Sequence, residues 1–388
     1  MTAHPLRLLP LTLPQFDEEE SRAVRECLDS HWVTQGPRVR QFEEMFARYH
    51  QVPHALATTS CTSALHLATM ALGLGPGDEV VVPAFTWVTS AHCAEYVGAK
   101  AVFCDVDLAT YNLDPASLRA AVTPRTRAVI AVHLFGLAAP LAEVREAAAP
   151  RGIHIIEDAA CAMGTRYDDV PVGGIGDVGC FSFHPRKVIT TGEGGMVTTR
   201  DPAIAEQVAS LRNHGTAVEA APVSPARPWT MGRFEMLGYN LRLSDIQAAI
   251  GIAQMGKVDA LLAERLGRAR RYDAQLAGLD DLVRPVVPRR TSHTFQTYLV
   301  RVREGGRERR NRVMEVLQRD AIQTRPGTHA VHRLGYYARR YGLRPEDFPN
   351  ACLAEDTTIA LPIFPGMTDE DQDRVVSSLR AGLAEGGR

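Results

Sequence analysis

The sequence predicts an α/β protein: a mainly parallel central sheet followed by a smaller C-terminal α+β domain. Three observations carry this. From His54 onward short apolar runs alternate with segments of helical spacing, the rhythm of strands joined by helical crossovers. The runs are apolar at nearly every position, as strands buried on both faces must be. The alternation stops after about Thr199, and the chain from Asp280 to Arg388 mixes strand and helix patterns in another order.

Taken in order, two helices open the chain, about Asp17–Ser30 and Val39–Gln51, joined by the turn-forming Thr34-Gln35-Gly36-Pro37. Strands follow at His54–Thr58, Glu79–Pro83, Ala101–Asp105, Ala128–His133, His154–Glu157 and Gly179–Phe183. Between them lie helices at Cys61–Leu72, Trp87–Val97, Pro115–Val122 and Pro140–Ala149. The Pro/Ala-rich stretch Ala220–Pro228 reads as a loop. One long helix is expected over Ser244–Leu276, with a small, apolar centre at Gln247–Gln254 suited to close packing. Beyond it come a strand (Thr294–Val302), a helix (Arg307–Asp320) and a final helix from near Thr368. The division expected is residues 1–245 for the large cofactor-binding part and 246–388 for the connecting helix and small domain.

Composition narrows the partners. Lysine plus arginine number 43 against 45 aspartates and glutamates, a net charge of -2 over 388 residues. That balance gives no reason to expect nucleic acid or an anionic membrane. The arginine-rich Arg307-Glu308-Arg309-Arg310 reads as a solvated helix face. The seven cysteines are odd in number, and none forms a C-x-x-C pair, so neither a disulfide framework nor a metal site is expected. A soluble, cytoplasmic protein without a signal peptide fits these features.

In an open α/β sheet ligands bind beyond the carboxyl ends of the strands, and three strand ends here carry polar clusters. The first strand runs into Thr58-Thr59-Ser60-Cys61-Thr62-Ser63 and opens a helix, where free backbone N–H groups favour a phosphate dianion. The strand from His154 ends in Glu157-Asp158, and a buried carboxylate such as Asp158 could keep a pyridine nitrogen protonated. The strand from Gly179 leads through Ser182-Phe183-His184-Pro185-Arg186 to Lys187, an amine able to form a Schiff base. Trp87 could lie against a flat ring. Singly, each has an ordinary reading: a surface lysine, a strand-end turn former, a helix cap, a core aromatic. Together they describe the needs of pyridoxal 5'-phosphate.

These residues sit in longer motifs. Glu157-Asp-Ala-Ala, Val172-Gly-Gly-Ile-Gly-Asp-Val-Gly-Cys-Phe-Ser-Phe-His-Pro-Arg-Lys187 and Thr190-Thr-Gly-Glu-Gly-Gly195 resemble the DegT/DnrJ/EryC1/StrS sugar aminotransferases, which are fold-type I pyridoxal-phosphate enzymes. Gly75-Pro-Gly-Asp-Glu-Val-Val-Val-Pro83, Leu211-Arg-Asn-His-Gly215, Tyr239-Asn-Leu-Arg-Leu243 and Leu361-Pro362 extend the likeness along nearly the whole chain. By position, the resemblance implies that Lys187 is the Schiff-base lysine and Asp158 the pyridinium partner. It further implies phosphate contacts from Ser182 and the Cys61–Thr62 turn, ring stacking by Trp87, and a homodimer in which Asn240 reaches the neighbouring subunit's phosphate. Relatives that are dehydratases carry histidine at the lysine position; Lys187 favours transamination. One departure stands out: Cys161 occupies a position near cofactor and substrate where the family commonly has glutamine or glutamate.

Within the family, Thr190-Thr-Gly-Glu-Gly-Gly-Met196 and Gln323-Thr-Arg-Pro326, followed by His332 and Tyr337, resemble the perosamine synthases. The expectation is therefore an enzyme moving an amino group from glutamate to a nucleotide-linked 4-keto-6-deoxy sugar, with His184 and His332 as candidate sugar contacts. An aminotransferase for a 3-keto sugar or keto-cyclitol, and a non-catalytic pyridoxal-phosphate-binding regulator, are the alternatives.

Overall fold

The computed structural model describes residues 7–217, 229 and 231–386, so the loop expected at Ala220–Pro228 lies outside them. Helices α1 (Glu18–Asp29) and α2 (Pro37–His50) precede the sheet. Asp17 starts α1 with a capping box closed by Glu20, and Pro37 starts α2 at a position where a missing N–H costs nothing.

Seven strands form the central sheet: β1 (His54–Thr58), β2 (Glu79–Pro83), β3 (Lys100–Cys104), β4 (Thr126–Val132), β5 (His154–Asp158), β6 (Val178–Ser182) and β7 (Gly195–Thr199). Their order is β1-β7-β6-β5-β4-β2-β3, and only β7 runs against the others. β7 is the strand that sequence patterning did not anticipate. It follows β6 in a hairpin rather than a helical crossover, so the βα rhythm gives no sign of it.

Helices α3 (Cys61–Ala71), α4 (Thr89–Tyr96), α5 (Pro115–Ala121), α6 (Leu141–Ala148) and α7 (Pro202–Leu211) accompany the sheet. Alternate strand residues enter opposite cores. Val80, Val82, Ile130, Ile156 and Cys180 join one cluster, while Val81, Val129, Ile155 and Phe181 join the other. This is the period-two signature of a sheet covered on both faces.

The long helix expected over Ser244–Leu276 is two: α8 (Asp245–Gly256) and α9 (Val258–Gln275). Gly256 is a weak helix former, and the next residue, Lys257, leaves helical geometry at φ -118° and ψ 9°. Its ammonium turns back to Asp17 and Glu20, at 2.8 and 2.6 Å. The small, apolar centre of α8 does allow close packing. A Cβ on Gly251 would meet the Phe42 ring at 2.8 Å, so α2 and α8 approach there as only glycine permits.

Beyond α9 a three-stranded sheet of β8 (Leu282–Val283), β9 (Tyr298–Val302) and β10 (Thr358–Leu361) packs with α10 (Gly306–Arg319) and α13 (Asp369–Gly386) around a third apolar cluster. Two further helices, α11 (Gly335–Tyr341) and α12 (Pro349–Thr357), lie between. Leu9 belongs to this cluster and bonds to the backbone of Ala321 and Gln323. The start of the chain thus packs with its C-terminal part. Among the described residues no helix is long and apolar enough to cross a membrane.

Candidate active site

The carboxyl ends of β1, β2, β4, β5 and β6 open on a cavity of about 400 Å³, a size that suits a small-molecule ligand. Cys61, Thr62, Trp87, Asp158, Cys161, Ser182, His184 and Lys187 all line it. Leu11, Gln296, Thr297, Arg325 and Thr328 close it from the C-terminal side.

At one end Ser60 caps α3: its Oγ accepts from the Ser63 amide at 3.1 Å. The amides of Cys61 and Thr62 come before the first intrahelical bond, so they are donors without a helical partner. Gly195 makes this turn possible. A Cβ there would sit 2.4 Å from the Ser60 carbonyl carbon and 2.6 Å from the Cys61 amide nitrogen. Both neighbours are backbone atoms and cannot rotate away. Gly195→Ala is therefore expected to displace the turn, destabilise the fold by about 1–3 kcal/mol and weaken retention of a phosphate-bearing ligand about tenfold. Dialysis of the purified variant, followed by measurement of retained cofactor, checks this; full retention would contradict it.

Glu157 and Asp158 are neighbours in sequence but face opposite ways from β5, as strand geometry requires. Asp158 points to the cavity, 5% exposed. Its Oδ2 accepts from Ser90 Oγ at 2.7 Å and its Oδ1 from the Ala160 amide at 3.2 Å. Ser90 Oγ is in turn 3.0 Å from Thr86 Oγ1, which precedes the start of α4. Nothing in sequence spacing connects residue 90 with residue 158, so this contact was invisible beforehand.

Glu157, fully buried, anchors the glycine-rich turn after it by accepting from the amides of Gly173, Ile175 and Gly176 at 2.8, 2.8 and 2.6 Å. It also meets His133 Nε2 at 2.9 Å, while the Ala139 amide donates to His133 Nδ1. The imidazole proton therefore sits on Nε2 and points at Glu157. Burial alone would raise the Glu157 pKa, but the hydrogen bonds from His133 and the amides outweigh it and lower it below the usual value. A carboxylate with a lowered folded pKa contributes stability above its unfolded pKa, near 4.5, and that stability is lost as pH falls through the folded value. Glu157→Gln is expected to cost about 3 kcal/mol at pH 7, with the difference from the parent shrinking below pH about 4.5. Urea unfolding at a series of pH values measures it; a difference that stays constant into acid would sink the argument.

Lys187 ends the turn after β6, its amide bonded to the His184 carbonyl at 2.8 Å. Its Nζ lies 3.2 Å from Cys161 Sγ, so the residue that departs from the family pattern touches the amine directly. Burial, followed in weight by the opposing influences of Glu193 and Lys187, lowers the His184 pKa, which keeps that imidazole neutral at pH 7. Its Nδ1 accepts from the Arg186 amide, which leaves Nε2 carrying the hydrogen. Trp87 is 52% exposed and packs against His329, ring centres 5.6 Å apart.

Two expected contacts lie elsewhere. His332 is fully buried, edge-on to Phe348 and 3.4 Å from Cys352 Sγ; it does not line the cavity, so the expectation of a sugar contact is corrected. The short helical turn Val331–Arg333 packs its ring into the protein. Tyr337 is likewise buried, its hydroxyl 2.7 Å from His92 Nδ1. Asn240 is exposed and outside its own chain's cavity, bridged to Asn213.

A phosphate-sized turn of free amides, a buried carboxylate, a primary amine and a flat aromatic around one cavity fit pyridoxal phosphate. Comparison with known proteins agrees. Residues 14–380 match the DegT/DnrJ/EryC1/StrS aminotransferase family. The chain is 39% identical over 373 residues to GDP-perosamine synthase of Caulobacter vibrioides, covering 96% of this chain and 97% of that protein. It is 37% identical over 374 residues to the spore coat polysaccharide biosynthesis protein SpsC of Bacillus subtilis, covering 96% of each. The pyridoxal-phosphate form of Spr1654 from Streptococcus pneumoniae superposes with a TM-score of 0.92 at 27% identity, covering 98% of this chain and all of that one.

Proposed function

The chain belongs to the DegT/DnrJ/EryC1/StrS aminotransferase family, and from that premise we propose that this pyridoxal-phosphate-dependent sugar aminotransferase moves the amino group of glutamate to a nucleotide-linked 4-keto-6-deoxy sugar. The observation that carries the reading is the convergence of Lys187, Asp158 and the Cys61–Thr62 turn on one cavity. The likeness to a protein named GDP-perosamine synthase supports the choice of a 4-keto sugar over a 3-keto sugar or keto-cyclitol.

Pyridoxal phosphate, when bound, supplies an aldehyde that condenses with amines and a ring that draws electrons from the attached carbon. In this reading the Cys61 and Thr62 amides and Ser182 hold its phosphate. Asp158, oriented by Ser90, keeps the ring nitrogen protonated. Trp87, on the wall of the cavity, would pack against the ring. Lys187 Nζ would hold the aldehyde at rest; displaced by the donor's amine, the freed Nζ would take the proton from the donor's α-carbon and return it to the former aldehyde carbon. With the keto sugar it moves a proton in the reverse sense. Cys161, beside Nζ, limits where the amine can swing, and His184 Nε2–H donates to the sugar.

The exposed side chains of Met231, Phe234 and Leu237, next to Asn240, support a homodimer with shared active sites. Sedimentation should give twice the 42.4 kDa of one chain; a monomer would oppose it.

Visible absorption of the purified protein tests the chemistry. Glutamate should shift the bound-cofactor band to the aminated form, and a 4-keto nucleotide sugar should restore it. Restoration by a keto-cyclitol or a 3-keto sugar alone would overturn the substrate assignment, and no shift with any amino donor would favour a non-catalytic regulator.

A further inference from the structure

Residues 294–297, which lead into β9, reach the Lys187 cavity from the C-terminal side through Gln296 and Thr297. Their backbone is pinned to the large domain. The Thr294 amide donates to the Gly136 carbonyl at 2.9 Å and the Thr297 amide to that of Phe135 at 3.3 Å. From behind comes Arg265 of α9, 2% exposed. Its Nη1 donates to the carbonyls of Phe295, Gln296 and Ile363, at 3.4, 3.3 and 3.0 Å. Ile363 lines the cavity as well. Among the described residues the Arg265 Nε has no hydrogen-bond partner. Burial lowers the Arg265 pKa to about 10, which leaves it charged at pH 7. A buried guanidinium bonded to carbonyls rather than to a carboxylate is costly to a fold. What it provides here is placement, since one group fixes two segments of the cavity wall.

That placement reaches Lys187 through the Gln296 side chain. Gln296 Nε2 donates to the Arg186 carbonyl at 2.7 Å, and its Oε1 accepts from Thr297 Oγ1 at 3.0 Å. A carbonyl can only accept, so the amide has one orientation. The Arg186 carbonyl belongs to the same peptide unit as the Lys187 amide, which donates to the His184 carbonyl at 2.8 Å. A peptide unit is planar. Bonds at both its polar ends therefore fix its plane, and with it the Lys187 Cα at its edge.

We infer that Gln296 is a positioning residue for the reaction: it ties the turn that carries Lys187 to the wall held by Arg265, and so sets the point from which the lysine amine swings. The inference rests on Lys187 as the reacting amine, proposed above. A lysine side chain is a flexible four-carbon stem, yet its Nζ must meet the reacting carbons closely. Rates fall off steeply when a reacting group is displaced by about 1 Å. A fixed Cα removes one source of that error, and the freedom left is in the stem, whose Nζ lies 3.2 Å from Cys161 Sγ. Gln296 itself acts through the Arg186 carbonyl and not on the reacting atoms.

The test is Gln296→Met in the full-length holoenzyme. Methionine has about the length and bulk of glutamine but no donor. The bond to Arg186 lies at the surface, so water can take over that carbonyl and the fold should stand. The glutamate half-reaction, followed by visible absorbance, should lose about tenfold in maximal rate, with the half-saturating glutamate concentration little changed. α-Deuterated glutamate should show a larger isotope effect than in the parent, because transfer by a misplaced Nζ then limits the rate. In the cofactor-free protein, hydrogen exchange of a peptide covering residues 183–190 should quicken while that of α3 stays as in the parent. A half-reaction as fast as the parent's would overturn the inference. So would a raised half-saturating concentration at unchanged maximal rate, which would make Gln296 a donor contact. Should Gln296→Met fail to fold, Gln296→Glu keeps Oε1 for Thr297, withdraws the donor and carries the same readouts. Lys187→Ala, run alongside, separates the two readings. If it converts glutamate at the parent's rate, the reading of Lys187 falls and takes this inference with it. If it is inactive while Gln296→Met matches the parent, only the role of Gln296 is removed.

Discussion

Lys187→Ala should lower glutamate-dependent amination by about 10⁴-fold or more, because it removes anchor and proton carrier in one step. No other group is placed to replace it. His184 is held neutral and by one nitrogen to its own turn, and Cys161 is a poor proton carrier on a carbon atom. The side chain sits at the mouth of a preformed turn whose backbone bonds do not involve Nζ, so the fold should survive. The variant should still hold pyridoxal phosphate through the Cys61–Thr62 turn and Asp158, but release it on dialysis. Single-turnover rates with glutamate give the clean measurement. Retention of more than about one part in a hundred of the parent rate would assign the proton transfer to another residue.

Asp158→Asn should cost about 10²–10³-fold in kcat with little change in KM, comparable to removal of one preorganised charge-stabilising group. The asparagine has the same shape and leaves the buried site filled, so packing is preserved. It cannot carry the negative charge that holds a proton on the ring nitrogen. Its amide nitrogen also cannot accept from Ser90 Oγ, which now donates to Asp158 at 2.7 Å. Ser90→Ala should therefore show a milder loss of the same kind, about tenfold, since the Ala160 amide still orients the carboxylate. An Asp158→Asn enzyme within threefold of the parent would remove this residue from the proposed chemistry.

Much of this was legible in the sequence where one residue type has one physical use. Apolar runs between helical segments located six of the seven central strands to within two residues, because a strand buried on both faces leaves few polar positions. Polar clusters at strand ends placed Lys187, Asp158 and the Ser60 turn, since a parallel sheet has one functional edge. What stayed hidden depended on contacts across long stretches of chain. Ser90 reaches Asp158 through packing of α4 against the sheet. A cavity between α10 and the segment from Arg325 to Arg333 is lined by Arg307, Arg310, Arg325 and Arg333, and each arginine alone reads as surface. His332 was misplaced because a motif gives order along the chain, while the turn at Val331–Arg333 decides which side chains face inward. The break after Gly256 was present as a weak helix former, but the pull of Asp17 and Glu20 on Lys257 was not.

The reversed strand β7 has a kinetic consequence. It lies between β1 and β6, pairing Thr58 with Gly195 and Ser182 with Gly195 on its two sides. The turn offered to the phosphate and the turn bearing Lys187 are thus joined through one late strand, across a loop that spans well over a hundred residues. Closing such a loop is slow compared with local helix formation. On the ribosome the first strand must wait, unpaired, until the chain has been made past Thr199. Capture of the cofactor is then a signal that the longest-range pairing in the sheet is complete, and newly made chains short of that strand should leave pyridoxal phosphate in solution.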